Sequence, residues 1–156
     1  MLLIKSKYKI AKRLGAAVFE KTQTQKFALS EARSPAKRTR GGRGGGSDYG
    51  RQLLEKQRVR FTYGISEGQL SKYAEAAFAQ PDPSTSLHRA LEMRADSTLY
   101  RIGFASTRRA ARQIVSHGHI TINGKRITTP SYRVKIGDTI GVREGSRQSP
   151  LFTVLN

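Results

Sequence analysis

A chain of 156 residues with 37% hydrophobic and 8% aromatic content suits one medium domain or two small ones, which excludes a large core and leaves a substantial part to extend or wrap on a partner. Its 29 Lys and Arg against 11 Asp and Glu give a formal charge of +18, an excess that repels itself unless an anion is bound, and nucleic acid is the most economical such partner. The absence of cysteine excludes disulfide frameworks, thiolate nucleophiles and Cys-based zinc or iron-sulfur sites, and no stretch approaches the roughly twenty apolar residues of a membrane span.

The charge is uneven: residues 1–64 hold 16 basic and 4 acidic groups, whereas residues 65–156 hold 13 and 7. Residues 1–14 are basic after a three-residue apolar start and lack the apolar middle of a secretory signal. They read as an RNA-binding arm, with a transit peptide as the alternative. Lys5, Lys7, Lys9, Lys12 and Arg13 crowd around Tyr8, a density suited to phosphate neutralisation with Tyr8 stacking on a base. A solvated tail is the plainer reading of the same residues. Residues 34–46 then combine Arg38, Arg40 and Arg43 with a glycine run too costly in chain entropy to fold alone. That segment reads as a linker that threads along RNA and orders on binding, or as a passive spacer. Residues 1–46 are thus assigned as a basic arm with an Arg/Gly-rich segment.

A helix is predicted from Ser47 or Asp48, either of which can cap it, to a stop at Gly64. Leu54 and Phe61 lie seven apart, with Tyr49, Leu53, Glu55, Val59 and Tyr63 filling an imperfect stripe. Arg51, Lys56, Arg58 and Arg60 decorate the rest, and their excess over Glu55 favours phosphate contact over a solvated face. Ser66 with Gln69 forms a capping box, and Ile65 with Leu70 a hydrophobic staple, for a second helix that packs through Leu70, Tyr73, Ala74, Ala77 and Phe78. Residues 80–86 read as an exposed turn that closes a helical domain over 47–86. Residues 87–156 form the next domain, starting with helix from Leu87 to Ile102, broken near Asp96, which can cap the second piece before Gly103 closes it.

Ser106 or Thr107 caps a further helix with Ala110, Ala111, Ile114 and Val115 inside and Arg108, Arg109, Arg112, Gln113 and Ser116 outside. With no acid on that short face, the arginine forks should be free for phosphate or base contact. Gly118 ends the helix, Ile120–Ile122 alternates as a strand, and Asn123-Gly124 is a strong tight-hairpin signal returning through Lys125, Arg126 and Ile127. Lys125 and Arg126 should extend the arginine face into one basic surface. Residues 134–142 read as a second strand-turn-strand, and residues 151–155 as an additional edge strand. His117 and His119 suit RNA stacking or helix capping better than metal binding, because only His88 could join them. Acids are scattered, no Ser/His/Asp arrangement is evident, and Gly41–Gly46 lacks the ending of a nucleotide-binding loop, so no enzyme and no cofactor is predicted. The fold class is α+β: a basic amino-terminal arm, a small helical domain, and an RNA-binding domain of two short helices on a small antiparallel sheet.

The run Tyr100-Arg-Ile-Gly-Phe104, then Ser106-Thr107, Ala110-Ala-Arg112-Gln-Ile-Val-Ser-His117 and Ile122-Asn-Gly124, resembles the RNA-binding domain of the small ribosomal subunit protein S-four family. Ser47-Asp48-Tyr49-Gly50, Glu55-Lys56-Gln57 and Tyr63-Gly64 resemble that family's preceding helical domain, and Ser6-Lys-Tyr-Lys-Ile10 matches its arm. The resemblance implies a structural protein that binds early to a multi-helix junction in the 5′ domain of small-subunit ribosomal RNA. It also implies a place beside other small-subunit proteins, near the channel by which messenger RNA enters. Carried onto this chain, it puts Arg108, Arg109, Arg112, His117 and the turn Asn123–Arg126, with Lys125, on the RNA-facing surface, and Ser116 on the same helix face joins them as a candidate RNA contact. The expected partners are small-subunit ribosomal RNA and neighbouring small-subunit proteins, with no membrane and no small-molecule substrate.

The chain departs from the family pattern in several places. It is expected to be short at its carboxy terminus, it carries an Arg/Gly insert where relatives have Pro-Gly-Gln-His-Gly, and Ala95 replaces a larger aliphatic residue. The amino-terminal cysteines that some members use for metal are also absent. Shortening and the Ser116-His-Gly-His-Ile120 run favour a mitochondrial version, with the bacterial cytoplasm as the alternative. Two other readings compete: a fragment of an RNA-modifying enzyme carrying the same domain, and a free-standing binder that rescues stalled ribosomes. The first needs a catalytic domain for which there is no room, and the second has no need of the helical module over 47–63.

Overall fold

The computed structural model describes residues 4, 6–15, 18–33, 47–150 and 152. Lys5, Arg38, Arg40 and Arg43, the Arg/Gly segment and most of the expected edge strand lie outside the described residues. The chain divides into two compact units, Met1–Leu70 and Ser71–Asn156.

In the first unit, the described part of the expected basic arm is largely helical. Helix α1 spans Lys7–Leu14 and buries Ala11 and Leu14, three residues apart and so on one face. Gly15 ends it at φ 61°, a conformation glycine adopts without a Cβ clash. A 3-10 turn at Glu20–Gln23 leads into α2, Gln25–Arg33. Ala11, Phe19 and Phe27 form a small core, with Tyr8, Ile10, Val18 and Phe61 packed around it. Apolar residues at helical spacing followed by two phenylalanines therefore gave this segment something to fold around, despite its charge.

Helix α3, Asp48–Tyr63, starts at Ser47, whose Oγ accepts the Gly50 N–H, and stops at left-handed Gly64. Its imperfect stripe buries no residue fully and leaves Tyr49 and Leu54 exposed. Helix α4, Glu67–Phe78, has the expected capping box: the Ser66 Oγ accepts the Gln69 N–H and the Gln69 Oε1 accepts the Ser66 N–H. Ile65 and Leu70 are both buried, as a staple requires. Phe78 corrects the expected packing face, for it is 77% exposed while Ala77 is buried. Ala77 lies two turns from Leu70 and returns to the same line, whereas Phe78 is rotated by about a further 100°.

The second unit continues with α5, Pro83–Glu92, which begins inside the stretch expected to be a turn. Asp82 caps it through the Thr85 N–H, and Pro83 occupies the first helical position, where its missing N–H costs nothing. Helix α6, Ala95–Arg101, follows a break at Met93 and Arg94, and α7, Arg108–Ser116, is capped by Thr107 through the Ala110 N–H. Strands β1 (Ile120–Ile122), β2 (Lys125–Ile127) and β3 (Ile140–Val142) form an antiparallel sheet in the order β2-β1-β3, pairing Ile120 with Ile127 and with Val142. Asn123 at φ 51° and Gly124 at φ 76° give the tight turn its two left-handed residues. Leu99, Ala111, Ile114, Val115, Ile120 and Ile122 lie at the heart of the core between helices and sheet. The expected second hairpin is only half realised. Residues 132–134 bond instead to the connection between α5 and α6, with the Val134 N–H donating to the Met93 carbonyl and the Ala95 N–H to the Tyr132 carbonyl, both at 2.8 Å. These bonds draw the segment towards the α5–α6 connection, and of the expected pair only Ile140–Val142 joins the sheet, beside β1.

Candidate nucleic-acid interface

Helix α7 places its arginines very differently from one another. Arg109 is exposed and makes no ion pair among the described residues. Arg108 and Arg112 are mostly buried and committed to carboxylates: Arg108 meets Glu92 at 3.1 Å, and Arg112 donates to Asp96 through Nε at 2.8 Å and Nη2 at 2.7 Å. The expectation of three free forks is therefore corrected. The helix itself holds no acid, and the partners arrive from α5 and α6. Both pairs are separated by 16 residues in sequence. Acids four apart on one segment thus face arginines four apart on another, which is the signal that inspection of α7 alone could not give.

Each of these carboxylates serves two arginines. Glu92 also accepts from Arg101 through Nε and Nη2, both at 2.9 Å. Asp96 also accepts Arg94 in a bidentate pair at 3.0 and 2.9 Å, and takes the Ser97 N–H at 2.9 Å. Arg94 is 3% exposed and reaches the Tyr73 hydroxyl at 2.8 Å. Burial opposes its charge, yet the hydrogen bonds and field of Asp96 prevail and raise its pKa. Asp96 is thus not the cap of α6 that its position suggests, but the buried hub between Arg94 and Arg112. Arg108 lies over the Tyr100 ring at 4.8 Å, where cation and π face attract.

The hairpin meets α7 through Arg126. Its Nη2 donates to the His117 carbonyl at 3.2 Å, placing a cation at the negative end of the helix. Gly118, at φ 70°, makes room for it, since a Cβ there would lie 2.2 Å from the Arg126 Nε. Lys125, beside it, is exposed, as are Ser116 and His117. Asn123 is exposed, but its side chain braces the neighbouring turn by donating to Asp138 and accepting the Thr139 N–H, both at 2.9 Å. The Lys135 N–H and that Asn123 amide hold the Asp138 pKa below the usual aspartate range. His119 shares a hydrogen bond of 2.9 Å with Ser146 and packs edge-on to Phe152, so its role is structural.

In the first unit, the α3 cations also find acids. Arg51 pairs with Asp48, Arg58 with Glu55, and Lys56 and Arg60 both reach Glu67, at 2.6 and 3.0 Å. Hydrogen bonds from Lys56 and then Arg60 lower the Glu67 pKa. The expected excess over a single acid overlooked Asp48 and Glu67. Arg58 further donates to the Leu14 carbonyl at 2.9 and 2.7 Å, tying α3 to the end of α1. Tyr8, expected to be free for a base, packs edge-on to Phe27 at 5.1 Å. Lys12 donates to the Ser30 carbonyl at 2.5 Å, while Lys9 and Arg13 are exposed. Lys9 and Arg13 of α1, Arg109 of α7, and Lys125 and Arg126 of the β1–β2 hairpin are among the exposed cations that form no ion pair among the described residues.

Comparison with known proteins gives two adjoining matches. Residues 3–92 match the sequence model described as the Ribosomal protein S4/S9 N-terminal domain, and residues 93–140 match the S4 domain. Over 149 residues the chain is 42% identical to the small ribosomal subunit protein uS4 of a Roseiflexus species, covering 92% of this chain and 70% of that protein. The Roseiflexus castenholzii counterpart is 43% identical with the same coverage. That of Acetivibrio thermocellus is 51% identical over 105 residues, covering 67% of this chain and 50% of its own length.

Proposed function

From the premise that this chain belongs to the small ribosomal subunit protein uS4 family, we propose that it is a structural constituent of the small ribosomal subunit that binds ribosomal RNA. The observation that carries this reading is the unbroken succession of the two family domains across residues 3–140. The relatives are ribosomal proteins, and the role proposed is binding without catalysis. Folded RNA is recognised through phosphates, 2′-hydroxyls and shape, so exposed cations on a rigid helix-hairpin scaffold suit it.

Within this reading, Arg109, Lys125 and the outer edge of Arg126 make direct phosphate contacts, with Ser116 and His117 beside them. Arg108 and Arg112 set the position of α7. The partition into 1–46, 47–86 and 87–156 is proposed as the division of RNA contacts among arm, helical domain and RNA-binding domain. Binding to a 5′-domain junction early in assembly, a site near the messenger RNA channel, and neighbouring small-subunit proteins as partners belong to the same proposal. So does a mitochondrial location, supported by the Ser116–Ile120 run, although the relatives named above are bacterial.

The test is salt-controlled filter binding to 5′-domain junction RNA. Arg109→Glu with Lys125→Glu is expected to weaken binding more than tenfold and to lower the salt slope by about 2, whereas Lys72→Glu with Arg89→Glu changes little. Equal losses in the two variants would overturn the assignment of this face. Sedimentation of the tagged chain with small subunits from fractionated cells tests the ribosomal role and the compartment together.

A further inference from the structure

We infer that the first unit carries its own phosphate-binding cleft, separate from the α7 ridge and formed by Lys7, Lys9, Lys21 and Lys26. The inference rests on the ribosomal RNA reading and names a second point of grip within it. The cleft has a volume of about 540 Å³ and is lined by Ser6, Lys7, Tyr8, Lys9, Lys21 and Lys26, with Ile4 at its margin. No acid lines it. None of its four lysines has an ion-pair partner among the described residues, in contrast to the α3 cations, each of which has one.

The position of the lysines sharpens the case. Lys7 and Lys9 stand in the first turn of α1, which has no acid and no side-chain cap at Ser6. The positive end of a helix disfavours cations and favours an anion, so two lysines there raise a positive potential that no acid among the described residues pairs. Lys21, from the 3-10 turn, lies over the Tyr8 ring at 5.9 Å, and Lys26 comes from α2. Tyr8 packs edge-on to Phe27 and Lys7 lies over the Phe19 ring at 5.8 Å, so cations from three separate elements line one cleft with Tyr8 in its wall. A smaller adjoining groove shares Tyr8 and Lys26 and ends at Arg33, another cation with no ion-pair partner among the described residues. A row of cations along a cleft fits successive phosphates of an RNA backbone better than one small anion. Lys21, Lys26 and Arg33 were absent from the sequence-based candidates, because only folding brings them beside Lys7 and Lys9.

The test uses the full chain with Lys21→Gln and Lys26→Gln together, changes at exposed side chains that leave the core intact, with circular dichroism to verify helix content. Against 5′-domain junction RNA, the double variant should bind about tenfold more weakly at 0.15 M salt, with the salt slope reduced by about 2. Unchanged affinity and slope, with Arg109→Glu/Lys125→Glu still defective, would overturn the cleft and leave the ribosomal reading standing. Failure of the wild-type chain to bind the RNA at all would overturn both. Unchanged RNA binding with lost binding to phosphatidylserine vesicles would also overturn it, by assigning the cleft to a membrane surface.

Discussion

Asp96 and Arg109 show how differently single charged residues act on one small scaffold. Asp96 is buried and accepts hydrogen bonds from Arg94, Arg112 and the Ser97 N–H, so its removal leaves two guanidinium groups without their carboxylate in a poorly solvated place. Breaking a buried pair by deleting one partner typically costs about 3–5 kcal/mol. Asp96→Ala is accordingly expected to lower unfolding stability by about that much in urea titration, and a loss below about 1 kcal/mol would show that the hub is not structural. Arg109→Ala, on the exposed face of the same helix pair, should alter stability by less than about 0.5 kcal/mol. The residue types along α7 were legible from sequence, but which arginine faced solvent was not. That distinction depends on Glu92 and Asp96, brought in from other helices.

Among the elements, those with local signals were the ones read correctly. Ser47, Ser66 and Thr107 cap their helices with the bonds their positions imply, and the Asn123-Gly124 turn sets the register of β1 against β2. Such signals act over three or four residues and survive any tertiary context. The second hairpin is only half realised because residues 132–134 bond to the connection between α5 and α6, a partner distant in sequence that local alternation cannot reveal. The junction of α7 with the hairpin adds a tertiary constraint to a local one. Gly118 needs its left-handed backbone, and its missing Cβ leaves the space that Arg126 fills. Gly118→Ala should therefore destabilise the protein by about 1–3 kcal/mol. Part of this loss should vanish in an Arg126→Ala background, where only the backbone strain remains. Effects that add within about 0.5 kcal/mol in a double-mutant cycle would show that the guanidinium and the glycine are not in contact.

For the whole molecule, a formal charge of +18 makes anion binding and stability the same question. Ligand that binds only the folded chain stabilises it by mass action, about 2.7 kcal/mol at a free concentration 100 times Kd. Adding 5′-domain junction RNA should raise the urea midpoint at 0.1 M salt, and the gain should fade by 0.5 M as counterions compete for the phosphates. A midpoint unmoved at low salt would contradict a folded-state RNA complex. Composition and local pattern alone determined the anionic partner, the α+β class, the helix starts and the tight hairpin, because charge excess, caps and two-residue turns are written within a few neighbouring residues. Only the tertiary structure decided that the basic arm has a core, that Arg108 and Arg112 are neutralised, and that Lys21 and Lys26 join Lys7 and Lys9. Each of those outcomes turns on residues distant in sequence meeting across a fold, and the strength of a charge depends on the neighbours it finally acquires.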